Sequence, residues 1–173
     1  GDPSSDRDMD AVLKREEEKT WEVIRDVAPD MSVFDVLSYP KLYHNLKAAI
    51  KEVCTETRNP GIFYDDCQIP GREMLQIVEN REFSKLPRGM SRVAEEAFDT
   101  LLHTRDGQLC DIMIDKAALD AICEAGRRSG EPIIQDYADT TVAIADIKIA
   151  VRSQKTGEKR GFYEKHHGRV CGA

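Results

Sequence analysis

TVAIADIKIAV, residues 141–151, decides how the rest of this chain is read. Its β-branched and small apolar residues alternate, and an acid and a lysine stand two apart within them. Read with a period of two, Asp146 and Lys148 share one face of a strand, and Ile147 and Ile149 hold the other face against the body of the protein. The following QKTGEK supplies a turn with Gly157 at its tip, and RGFYEKHHGRV can return antiparallel. The spacing therefore predicts a basic β-hairpin over residues 141–171.

Upstream, the pattern is helical. Residues 1–10 are polar and acidic and are expected to be disordered. Residues from Asp10 to Val27 place Val12, Leu13, Trp21 and Ile24 near helical spacing, and the helix should stop before Ala28-Pro29. A short turn of helix is expected at Ser32–Leu37. A longer helix after Pro40 carries Leu42, Leu46, Ala49, Ile50 and Val53 at intervals of three and four. IFYDDCQIPG reads as a short strand or extended loop, REMLQIVEN and SRVAEEAFDTLLHT as amphipathic helices, and CDIMID as a short strand. A last helix from Lys116, capped by Asp115, ends at Gly126 or Gly130. The expected fold class is α+β: one domain over 11–173, a mostly helical body to about residue 130 closed by the C-terminal β-hairpin or a small antiparallel sheet.

Charge is unevenly spread. From Lys148 to Ala173 there are seven Lys or Arg against two Glu, a balance of +5, so with a chain total of −7 residues 1–147 carry −12. An acidic body with a basic end favours a protein partner of complementary charge. The expected binding residues are Lys155, Lys159, Arg160, Phe162, Tyr163, Lys165 and Arg169. Nucleic acid is a second possible ligand of residues 148–169, with Phe162 and Tyr163 stacking on bases. The acidic remainder of the chain works against it. No uncharged apolar run is long enough for a membrane span or a signal peptide, so the expected location is cytoplasmic or nuclear.

Few residues point to covalent chemistry. The five cysteines have no C-x-x-C pair and no histidine at zinc-finger spacing, and are expected to be free thiols in a reducing compartment. His166 and His167 on a strand would point to opposite faces. No glycine cluster has phosphate-loop spacing. No catalytic residue, metal or cofactor is assigned, and the leading expectation is a non-enzymatic interaction module that binds a protein through the basic hairpin. One constellation stands against it. Asp136, followed by Asp146 and Lys148 on a strand, resembles the metal-dependent nucleases of the PD-(D/E)XK type. The resemblance implies two carboxylates binding a divalent cation while the lysine stabilises charge on the phosphate. Asp139 is a spare acid and His44 a possible further ligand.

Overall fold

The computed structural model describes residues 3–26 and 32–156. Among them there is no strand. Six helices follow in order: α1 Pro3–Asp26, α2 Ser32–Thr55, α3 Gly71–Glu79, α4 Arg88–Thr104, α5 Gly107–Ser129 and α6 Pro132–Thr156, with 3-10 turns at Pro60–Ile62 and Phe83–Lys85. The α+β expectation is thereby corrected: the protein is all-helical over the described residues. None of these helices is long and apolar enough to cross a membrane.

The decisive correction falls on the opening stretch. Residues 141–151 belong to α6. The helix starts with Pro132 in its first turn, where a missing amide costs nothing and the fixed φ suits the helix. Its buried residues are Ile134, Tyr137, Ala138, Thr141, Val142 and Ile144, which recur at three and four from the first of them. A window opened at 141 loses that register and finds only alternation. Ile147, expected to hold a strand to the body, is half exposed at 50%. The predicted hairpin 141–171 therefore does not exist over 141–156, and its remainder lies outside the described residues. CDIMID is helical too, within α5. Asp106, rather than Asp115, caps that helix, its carboxylate accepting the Leu109 amide at 3.0 Å. Gly130, at φ +66°, follows α5 in the left-handed conformation that glycine adopts freely. At the start, α1 takes in residues 3–10, where the sequence predicts a disordered lead-in.

The chain divides into two compact units, one of Gly1–Val36 with Ile122–Ala173 and one of Leu37–Ala121. In the first, α1 and α6 run antiparallel: Asp10 meets Lys148 at 2.6 Å, and further along α1 Glu17 lies near Tyr137, earlier on α6. Among the described residues Tyr137 is the largest fully buried side chain. The end of α5 packs closely on α6 in this unit, since a Cβ on Gly126 would come within 2.8 Å of the Ala138 Cβ.

In the second unit Leu42, Leu46 and Ile50 of α2 meet Met74 and Val78 of α3, Ala94, Ala97, Phe98 and Leu101 of α4, and Cys110 and Ile114 of α5 in one apolar core. Two ion pairs, Lys47–Asp115 at 2.9 Å and Lys51–Asp111 at 2.7 Å, fix α2 antiparallel to α5, because each step of four along one helix is matched by four backward along the other.

Burial has a consequence at high pH. Burial, with Tyr39 and Asp120 nearby, raises the Tyr43 phenol from its ordinary 10 to about 12. Burial, with Glu17 nearby, does the same for Tyr137. Each phenol ionises more readily in the unfolded chain, so the folded form holds more protons between pH 10 and 12. Stability is fully present below pH 10 and falls as pH rises through that window. Melting temperature recorded against tyrosinate absorbance should show Tyr43 and Tyr137 ionising together with unfolding. Early titration of all five tyrosines in the folded protein would contradict this.

Candidate interaction surface

One face of α2 is given over to holding a loop. Lys41, His44, Asn45, Ala48 and Glu52 recur at three and four along the helix, so they line up on one side. All but Ala48 reach the chain between residues 59 and 69. Glu52 is buried and its carboxylate accepts the Asn59 amide. His44 Nε2 lies 2.7 Å from the Ile62 carbonyl. Lys41 pairs with the Asp66 carboxylate, and this hydrogen bond holds the Asp66 carboxyl below its ordinary range.

Asn45 is the centre of the arrangement and is completely buried. Its Oδ1 accepts the Tyr64 amide at 2.8 Å, while its Nδ2 donates to the Tyr64 carbonyl at 2.8 Å and to the Ile69 carbonyl at 3.1 Å. A single amide side chain thus satisfies both backbone groups of one residue, as a neighbouring strand would. The same Nδ2 lies 3.3 Å from the Cys67 sulfur, and that thiol in turn donates to the Ile69 carbonyl at 3.4 Å. Burial pushes the Cys67 thiol up, which leaves it a poor nucleophile.

The loop so held presents two apolar side chains to solvent, Ile62 at 38% and Tyr64 at 42% exposure. The Tyr64 ring stands edge-on to His44, centroids 5.0 Å apart, with the Lys41 ammonium 5.6 Å from its centre. Phe63 turns inward and lies over Gly71, the first residue of α3, where an added Cβ would come within 2.2 Å of the Phe63 Cβ. Gly71→Ala should therefore displace Phe63 at its root and cost about 1–3 kcal/mol by overpacking, read from urea unfolding. A neutral result would show that the loop yields freely.

Beside the start of the loop is a cleft of about 230 Å³ between the end of α2 and α3. Val53 and Leu75 give it apolar walls; Glu52, Glu56, Thr57, Arg58 and Glu79 give it polar ones. Arg58 reaches Glu79 at 3.7 Å while its side chain stays 78% exposed, a loose pair.

The family model for the ATP synthase (C/AC39) subunit matches residues 1–166. The chain belongs to that family. No curated protein and no solved structure matches it at a significant level. An ATP synthase subunit has protein partners, so the expectation of a protein partner stands in that general form, while nucleic acid gains no support. The hairpin-borne interaction module and the nuclease are both overturned as functions for this subunit.

The structure also shows why neither reading could work locally. Lys155 sits on α6 rather than on a hairpin, and Lys159, Arg160, Phe162, Tyr163, Lys165 and Arg169 lie outside the described residues. Residues two apart on a helix diverge by about 200°, so Asp146 and Lys148 cannot face one cation together. Lys148 is instead engaged by Asp10, and Asp136 is exposed. Among the described residues no group of three or more His, Cys, Asp or Glu is placed to hold a metal ion. The thiols differ from expectation as well: Cys54, Cys67 and Cys110 are free, but Cys123 is disulfide-bonded.

Sequence reasoning missed Lys41, His44, Asn45 and Glu52 as a set. Their signal is a polar asparagine within the apolar run LYHNLKAAI, with polar neighbours spaced at helical intervals on one side of it.

Proposed function

We propose that this chain is a connecting subunit of a rotary ATP synthase, lying peripheral to the membrane and contributing protein contacts rather than a chemical step. The observation that carries the reading is the family match over residues 1–166. The second unit supports it physically. A buried asparagine fixes a loop whose exposed large apolar residues are an isoleucine and a tyrosine, and a rigid loop with an exposed aromatic loses little freedom on binding. Contact through that loop is part of the proposal.

The test is assembly. The full chain, tagged and produced in its own cell, should co-migrate on a native gel with a large complex that hydrolyses ATP, and deleting its gene should deplete that complex. Migration of the chain apart from all ATP-hydrolysing material, with the complex intact after deletion, would overturn the reading.

A further inference from the structure

We infer that the Ile62–Tyr64 knob and the neighbouring cleft form one docking surface for a basic amphipathic helix of another ATP synthase subunit. An apolar residue of that helix packs on Ile62 and Tyr64, and a lysine or arginine two to three turns away enters the cleft. This rests on the subunit reading above and adds the chemistry of the partner.

Charge supplies the first argument. The cleft is lined by three carboxylates, Glu52, Glu56 and Glu79, against the single guanidinium of Arg58. The knob is followed directly by Asp65 and Asp66, against Lys41. Both parts therefore carry an excess of negative charge, two in the cleft and one at the knob, and both complement a cation. The cleft walls supply the second argument. Val53 and Leu75 can cover the aliphatic stem of a long cationic side chain while the carboxylates meet its head. An incoming cation can replace Arg58 at Glu79, because the existing pair is long and solvent-exposed.

Spacing supplies the third argument. Asn45 fixes Tyr64, and Glu52 of α2 and Glu56 just past its end border the cleft, so the two parts lie seven to eleven residues apart along the line of α2. At 1.5 Å per residue that is about 10–17 Å, two to three turns of any helix laid alongside. An apolar anchor and a basic residue on one face of a single partner helix can reach both.

The experiment uses the full chain and the assembled complex. Ile62→Ala with Tyr64→Ala removes the knob, and Glu56→Lys with Glu79→Lys reverses the cleft; melting temperature is recorded for each to confirm folding. Each pair should lower recovery of the ATP-hydrolysing complex tenfold or more, Glu56→Gln with Glu79→Gln should lower it less, and raised salt should weaken the wild type. Undiminished recovery with either pair in a folded variant overturns the inference. So does wild-type recovery that is indifferent to salt, or a self-association of the isolated chain that the Tyr64 variant abolishes, since a second copy would then occupy the surface. Failure of the wild type itself to join the complex is a separate outcome that removes the subunit reading instead.

Discussion

Asn45→Ala is expected to lower the stability of the second unit by about 2–5 kcal/mol and to release the loop 59–69 from α2. The alanine leaves the Tyr64 amide without its acceptor, and strips the Ile69 carbonyl of its amide donor, leaving it only the weak Cys67 thiol at 3.4 Å. Each buried backbone group left unpaired costs about 1–3 kcal/mol. The Tyr64 carbonyl suffers less because the Gly71 amide also donates to it, at 3.1 Å. Asn45→Asp separates hydrogen bonding from shape. A carboxylate still accepts the Tyr64 amide but donates to neither carbonyl, so it should be at least as damaging as alanine near neutral pH. Acidification supplies the carboxyl with one donating proton and should recover part of the loss. Urea unfolding of both variants, with limited proteolysis in the loop as the local readout, checks this. A loss under 1 kcal/mol for Asn45→Ala would mean that the loop is held by its other contacts.

The second large effect belongs to the first unit. Tyr137→Ala should cost about 3–5 kcal/mol, because the ring is 1% exposed and its removal leaves a cavity where α1 and α6 pack. Tyr137→Phe keeps the ring and loses only the hydroxyl, so it should cost about 1 kcal/mol. It should also move the alkaline unfolding limb upward in pH, since a phenol favoured in its neutral form by the fold is then gone. Thermal melts at pH 7 and pH 11 distinguish the two variants. Similar losses for both would place the stabilisation in the hydroxyl rather than the ring.

The parts of the fold that could be read from the sequence are those whose apolar residues keep to one side. In α4, Ala94, Ala97, Phe98 and Leu101 are buried while Glu95 and Glu96 are exposed, and the period of 3.6 stands out locally. α6 offers no such contrast. Ile134, Val142 and Ile144 are buried, yet Ile147 is exposed, so apolar residues surround the helix and β-branched side chains mimic a strand wherever the window is short. CDIMID fails for the same reason, its six residues being less than two turns. The site was legible only in half. Asn45 can be noticed among apolar neighbours, but its partners at Tyr64 and Ile69 lie 19 and 24 residues downstream, and no local pattern joins them. The charge excess at the C-terminal end is a matter of composition alone, whereas the hairpin assigned to it rested on the period-two reading of residues 141–151 and fails with it, because those residues are helical.

The grip of Asn45 on Tyr64 also separates two things that usually go together on a protein surface. The Tyr64 ring is open to water, but its amide proton is held by a side chain inside the core. In deuterated buffer that proton should exchange only when the second unit opens, with the slow rate of the amides in the middle of α2. Tyr64 is then a residue whose ring meets any arriving partner while its backbone keeps time with the global unfolding of the unit, so occupation of the surface can be followed at the ring and stability at the amide in one sample.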